Sequence, residues 1–254
     1  MSDPIFGGAE LLAGRIALVT GGSRGLGRSI AQAFAAAGAD VVIASRKREP
    51  LEAAAAEIAA ATGRKVFPVV AHVGDWRQCD ALIDETIALA GRLDVLVNNA
   101  GIAPLYGRLH EATEELFDKT IAVNLKGPLR LTALATQHMP AGGAVINVSS
   151  KASLHPSSFT VVYAAAKAGL NALTRASAEE YGPKGIRVNA IVCGTFHTDS
   201  FHSSAPTEEL QNQMANGTAL GRVADADEIV GTALYLASDA SSYLTGELIT
   251  LDGG

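Results

Sequence analysis

Seven short runs of β-branched and apolar residues recur along the chain, each followed by a longer segment rich in Ala, Leu and Glu, and this alternation restricts the fold more than any other feature. The runs at 15–20, 40–45, 65–71, 94–98, 143–149, 186–192 and 247–251 are mostly continuous in apolar residues (IALVT, VVIAS, VLVNN) rather than alternating. Strands read this way when helices cover both of their faces, the pattern of a buried parallel sheet. The intervening segments predict helices over 24–37, 50–61, 76–90, 113–138, 160–181 and 225–237. Strands joined by helical crossovers predict an α/β fold, a doubly wound seven-stranded parallel sheet with helices on both faces. With 254 residues, 48% of them hydrophobic, the chain suits one domain with a sizeable core, and no linker or repeat divides it.

The first strand runs directly into Gly21-Gly22-Ser23-Arg24-Gly25-Leu26-Gly27 and then into a helix. This is the arrangement of a Rossmann dinucleotide site. Gly21 takes the tight turn, Gly25 lets backbone approach a pyrophosphate, and Gly27 lets the helix pack closely on the sheet. The helix N-terminus then offers unpaired N–H groups to the phosphates. The second strand ends in Ser45-Arg46-Lys47-Arg48, with no carboxylate before Glu49. A carboxylate there would bind the ribose hydroxyls of NAD(H) and repel a 2′-phosphate, whereas guanidinium groups match phosphate geometry. Arg46, with Arg24 approaching from the turn, therefore points to NADP(H) over NAD(H); Lys47 and Arg48 read as a solvated basic cluster.

Near the middle lie Ser149-Ser150 at a strand end, then Tyr163 and Lys167, four residues apart and so on one helix face. A tyrosine ordinarily titrates near ~10, and a neighbouring ammonium favours the phenolate. The spacing thus suggests an acid/base pair, with Ser150 able to hydrogen-bond a substrate oxygen. A Tyr-x-x-x-Lys pair alone is also how an ordinary helix face with a snorkelling lysine looks.

Together with Asn98-Asn99-Ala100-Gly101 and Asn124, these motifs resemble the short-chain dehydrogenase/reductase family, and the likeness runs from Gly14-Arg15 to Leu251-Asp252-Gly253-Gly254. The resemblance implies an oxidoreductase that moves a hydride between NADP(H) and a carbonyl or secondary alcohol. Its catalytic set would be Asn124, Ser150, Tyr163 and Lys167, with Asn124 holding a relay water. Its cofactor would lie along Gly21, Ser23, Arg24, Gly25, Leu26, Gly27, Ser45, Arg46, His72, Val73, Asn98, Ala100, Gly101, Tyr163, Lys167, Gly194 and Thr198. Asn98 would support the sheet beside the cofactor, Thr198 would contact the nicotinamide amide, and the subunits would form a homotetramer through the helices at 113–138 and 160–181. Two positions depart from the family pattern. Cys193 stands where the family has Pro, freeing that turn in φ, and His72 stands where an adenine-contacting Asp is usual. The His-Val-Gly and Ser-Arg-Lys runs are similar to those of NADPH-dependent dicarbonyl and retinal reductases.

The stretch 193–223, polar and rich in Ser, Thr and His with a helical patch near 208–215, follows a strand's carboxyl end, so it reads as a substrate lid rather than a solvated loop. Tyr106, Phe196 and Phe201 are candidates for an apolar wall, and His155, between Ser150 and Tyr163, for a pocket position. His110, His138, His197 and His202 have no metal-ligand spacing and read as surface or loop residues. Trp76 is expected to pack at a helix start. Cys79 and Cys193 belong to no Cys-x-x-Cys pair, so free thiols in a reducing compartment are expected and no metal. A net charge of −6 without a basic stripe argues against nucleic acid or an anionic membrane as partner. The acidic, then Gly-rich beginning does not read as a secretory signal, so a cytoplasmic protein with a small-molecule substrate is expected. A 3-oxoacyl-thioester reductase and a sugar or steroid dehydrogenase share the same chemical centre and differ in the lid, where Glu208 and Glu209 give an acyl carrier no basic entrance. A catalytically silent nucleotide sensor should have lost part of the Ser/Tyr/Lys set, which is complete here.

Overall fold

The structure, a computed structural model, describes residues 10–199, 201 and 205–254. Strands β1 (Ile16–Thr20), β2 (Asp40–Ser45), β3 (Val66–Val70), β4 (Val95–Asn98), β5 (Ala144–Ser150), β6 (Arg187–Cys193) and β7 (Leu248–Leu251) form one parallel sheet in the order β3-β2-β1-β4-β5-β6-β7. Successive side chains of a strand point to opposite faces, and both faces are dry. Val41 and Ile43 pack with Phe34, Leu51 and Leu236 on one side; Val42 and Ala44 share the other side's core with Leu82, Leu131 and Tyr181. Those side chains come from α1 (Gly25–Ala36), α2 (Arg48–Thr62) and α8 (Val230–Ala237) on one face, and from α3 (Trp76–Ala90), α5 (Gly127–His138) and α6 (Val161–Tyr181) on the other. This double burial is why the strands read as continuous apolar runs. It is the single Rossmann-type fold that the alternation predicts.

One predicted helix is not uniform. The segment 113–138 divides into α4 (Glu114–Ile121), a π-helical turn over Ala122–Lys126, and α5. π-turns inside helices cluster at functional sites, and this one contains Asn124. Beyond β6 the chain crosses the strand ends, pairs Phe196 with Ala224 in an isolated bridge, and forms α7 (Glu208–Asn216), where the helical patch was expected. His202 lies outside the described residues. Among the described residues no helix is long and apolar enough to cross a membrane.

At the opposite end of the sheet, buried Arg187 closes the end of α8. Its guanidinium donates to the carbonyl of Leu236 (2.9 Å), the Ser241 hydroxyl (2.6 Å) and the carbonyl of Ser238 (3.1 Å). Arg187→Met would remove three buried hydrogen bonds and leave the Leu236 and Ser238 carbonyls with only longer contacts of 3.3 Å from Ser241. The expected loss is about 3 kcal/mol in urea unfolding, and a loss under about 1 kcal/mol would contradict the capping role.

Candidate active site

β1 and β4 are neighbours although β2 and β3 separate them in sequence, so a crevice opens at their carboxyl ends, where open α/β sheets bind ligands. The glycine turn follows β1 and Asn99-Ala100-Gly101 follows β4, so both border this crevice. Thr20 and Asn99 tie them together: the Thr20 hydroxyl accepts from the N–H groups of Asn99 (3.0 Å) and Ala100 (3.1 Å), and the Asn99 amide donates to the Thr20 carbonyl (2.8 Å). Their contact with each other is not visible in the sequence, because it spans 79 or 80 residues of chain.

The turn has the geometry that a dinucleotide needs. Gly21 and Gly25 take φ of +70° and +53°, the left-handed region that favours glycine. A β-carbon on Gly27 would stand 2.4 Å from the Gly21 carbonyl oxygen, so only glycine lets α1 approach this closely. No side chain caps the N-terminus of α1, and no acidic residue occupies its first turn. Its N–H groups therefore remain for an anion, and the residues present fit a bound dinucleotide phosphate. Gly21, Ser23, Arg24, Gly25, Leu26, Ser45, Arg46, His72, Val73, Ala100, Gly101, Ser150, Tyr163, Lys167, Gly194 and Thr198 line one continuous cleft of about 1280 Å³. Gly27, Asn98 and Asn124 do not line it. Gly27 is a packing position; Asn98 is buried in the core, donating to the Thr132 hydroxyl (3.1 Å) and the Asn147 side-chain oxygen (2.9 Å).

His72 folds onto its own loop, where its Nδ1 accepts from the Gly74 N–H at 3.1 Å. In the neutral ring that leaves the proton on Nε2, so His72 offers a donor where an aspartate would offer acceptors. Arg24 is ion-paired with Asp199, from the stretch beyond β6. Both side chains are well exposed, at 74% and 64%, so the pair holds Arg24 only weakly.

Ser150 ends β5 beside Cys193, the last residue of β6. Its hydroxyl accepts from the Ala152 N–H at 3.2 Å, and Ser150 lines the same cleft as Tyr163. A chain of side chains, Ser149 to Asn171 (2.6 Å), Asn171 to Ser153 (2.8 Å) and Ser153 to the Ser150 carbonyl (2.6 Å), fixes the turn that follows. Asn171 and Ser153 are thus supports that sequence reading missed. Lys167 is buried; its Nζ donates to the Val148 carbonyl at 2.7 Å and lies 5.8 Å from the centre of the Tyr163 ring. Asn124 does reach this group from behind. A β-carbon placed on Gly101 would stand 2.9 Å from Asn124 Oδ1 and 3.7 Å from Lys167 Nζ, so the two flank Gly101. The Asn124 side chain bonds both backbone groups of Ile102 and the Thr120 carbonyl.

The electrostatics differ from the simple expectation of a phenol lowered by its lysine. Burial pushes the Tyr163 phenol up to about 12, and the Ser150 side chain opposes this only in part. Burial likewise pulls the Lys167 ammonium down to about 8. At this depth desolvation of the charged form is the largest cause of both shifts. Burial also pushes the Cys193 thiol up to about 12, so it stays protonated.

Phe196, Phe201 and His155 line the cleft as well, and so does His197, which packs edge-on against Phe201 with ring centres 5.4 Å apart. His197 is exposed, as a loop residue is expected to be, and also borders the cleft. Tyr106 is not in the wall; its hydroxyl accepts from the Val162 N–H at 3.4 Å. Trp76 opens α3 and lies under the Arg130 guanidinium, 4.6 Å from the ring centre. Among the described residues no group of three or more His, Cys, Asp or Glu side chains is placed to hold a metal ion.

Residues 21–254 match the family described as enoyl-(acyl carrier protein) reductase. The chain is 39% identical over 246 residues to the 3-oxoacyl-(acyl-carrier-protein) reductase FabG of Chlamydia trachomatis, covering 96% of this chain and 98% of that one. It is 34% identical over 245 residues to human dehydrogenase/reductase SDR family member 4, covering 96% and 88%. A short chain dehydrogenase of Burkholderia cenocepacia J2315, solved in complex with NADP, superposes with a TM-score of 0.90 at 33% identity, covering 96% of this chain and 99% of that one. The chain belongs to the short-chain dehydrogenase/reductase family and is an NAD(P)-dependent oxidoreductase.

Proposed function

We propose that this chain is an NADP(H)-dependent carbonyl reductase, in which Ser150 and Tyr163 hold a carbonyl oxygen and Tyr163 supplies its proton. The observation that carries the reading is the meeting of Ser150, Tyr163 and Lys167 on the wall of the same cleft that begins at the glycine turn. Residues 21–26 would hold the phosphates of the cofactor, Arg46 and Arg24 its 2′-phosphate, and His72 and Val73 its adenine, and the bound cofactor would supply the hydride. A phenol that titrates near 12 is protonated at neutral pH, so Tyr163 is ready to act as an acid. Lys167 restores the proton, with Asn124 behind it as the holder of a relay water. Thr198, 3.6 Å from where a Gly25 β-carbon would stand, holds the nicotinamide end. The segment 193–223 acts as the lid. A homotetramer joined through 113–138 and 160–181 accounts for Phe117 and Leu129, large apolar side chains exposed there at 49% and 41%. We also place the protein in the cytoplasm, in keeping with its free thiols. Reduction of a 3-oxoacyl thioester is the second reading, favoured by the Chlamydia trachomatis relative's name.

The test compares NADPH with NADH in ketone reduction. Wild type is expected to prefer NADPH, and Arg46→Ala to weaken NADPH about 10- to 100-fold while leaving NADH nearly unaffected, the range for one charge-assisted hydrogen bond. Asp199→Asn, which releases Arg24 from its exposed ion pair, is expected to tighten NADPH by no more than about fivefold. A wild-type preference for NADH would overturn the NADP(H) assignment.

A further inference from the structure

Three large apolar side chains stay exposed around the substrate end of the cleft: Leu105 at 51%, Phe159 at 58% and Met214 at 39%. They come from three separate parts of the chain, namely the segment after β4, the segment before α6, and α7 in the stretch beyond β6. Scattered exposed apolar residues need no explanation, but a converging set beside reactive groups marks a ligand surface. The buried rings of Phe196 and Phe201 line the same cleft.

The polar groups of this region are largely engaged within the protein. Lys151, the nearest cation to Ser150 in sequence, is ion-paired with Asp252 at 2.8 Å. Arg222, near the end of the same stretch, gives both terminal nitrogens to Glu228 at 2.6 Å. The hydroxyls of Ser157 and Thr160 bond each other at 3.1 Å. Helix α7 begins with Glu208 and Glu209, which repel an approaching anion. Of these groups Lys151, Ser157 and Thr160 line the cleft, and a carboxylate or a polyol seeking them would have to break their contacts, whereas an apolar body would not.

We propose that the substrate is a bulky, uncharged alicyclic or aromatic ketone whose ring system lies among Leu105, Phe159 and Met214 while its oxygen meets Ser150 and Tyr163. The proposal rests on the carbonyl-reductase reading and narrows it to a substrate class. The reduction balances: the ketone carbon gains a hydride from NADPH, the oxygen gains the Tyr163 proton, and the products are a secondary alcohol and NADP+.

The test pairs binding with turnover. Binding of 1-tetralone to the enzyme with NADP+ is measured by calorimetry. Reduction of 1-tetralone, 2-butanone and acetoacetyl-CoA is followed by NADPH consumption. The proposal expects 1-tetralone to bind and to exceed 2-butanone in kcat/KM by about 100-fold, with acetoacetyl-CoA the poorest of the three. Phe159→Ala, at an exposed position that folding does not need, should weaken 1-tetralone binding about 10-fold or more, and Leu105→Ser should act in the same direction. A preference for 2-butanone or acetoacetyl-CoA overturns the substrate class and leaves the reductase reading standing. Tight, Phe159-dependent binding of 1-tetralone without NADPH consumption upholds the apolar site and overturns carbonyl reduction.

Discussion

Tyr163→Phe is expected to lower the turnover of ketone reduction about a thousandfold while the Kd for NADPH changes less than about twofold. The substitution removes one oxygen atom from a residue whose ring already packs in the cleft wall, so the site keeps its shape. What it loses is the proton donor and one of the two hydroxyls at the carbonyl oxygen, and positioned acid–base groups typically contribute 10²- to 10⁴-fold. The pH dependence follows from the same residue. Burial holds the phenol near 12, so it is an acid throughout the neutral range and a base almost nowhere in it. Alcohol oxidation, which needs the phenolate, should therefore rise with pH up to the point where the cofactor-bound phenol ionises, about tenfold per unit below it. The bound oxidised cofactor, with its positive ring, brings that point below the value in the protein alone. Stopped-flow rates in both directions between pH 6 and 10 check this, and a pH-independent oxidation rate over that range would contradict it.

Lys167→Met is expected to change stability and activity in opposite directions. Lys167 is 4% exposed, and the structure gives its Nζ one hydrogen bond, to the Val148 carbonyl, and no carboxylate partner. Burial pulls its ammonium from an ordinary 10.5 to about 8, a difference that corresponds to about 3 kcal/mol against the charged form at pH 7. Methionine fills a similar volume without that cost, but leaves the Val148 carbonyl without its donor, which returns about 1–2 kcal/mol. A net gain of about 1–2 kcal/mol is expected, with a loss of turnover of about 10²-fold or more. The sign can be checked independently. Between about 8 and 10.5 the unfolded chain keeps the Lys167 proton and the folded one releases it, so this group's contribution to stability rises with pH. The variant's advantage over wild type should therefore be full below pH 8 and fade towards pH 10. Urea unfolding at several pH values measures it; an advantage that grows with pH would contradict the account.

The sheet was legible because helices on both faces demand continuous apolar strands, and few other arrangements of such runs bury everything. The glycine turn was legible because Gly21, Gly25 and Gly27 sit at a strand-to-helix junction where backbone geometry leaves little choice. Tyr163 and Lys167 were legible as a pair from helical spacing alone. What sequence reading missed lies in longer-range packing. The π-turn around Asn124 is one residue's shift in hydrogen-bond register, which apolar periodicity over 113–138 does not reveal. His197 joins the cleft wall because the stretch beyond β6 folds back onto the strand ends through the Phe196–Ala224 bridge. Arg24 meets Asp199 across 175 residues. The direction of the Tyr163 shift was missed because burial is its largest cause, and burial depth is known only once the chain is folded.

The most direct measurement follows deuterium from 4-deuterated NADPH into the product of a ketone reduction, by mass spectrometry under single-turnover conditions. The account predicts deuterium on the carbinol carbon with wild-type enzyme, appearing with a primary isotope effect, and its near disappearance over the same interval with Tyr163→Phe. Deuterium transfer by Tyr163→Phe at the wild-type rate would contradict it.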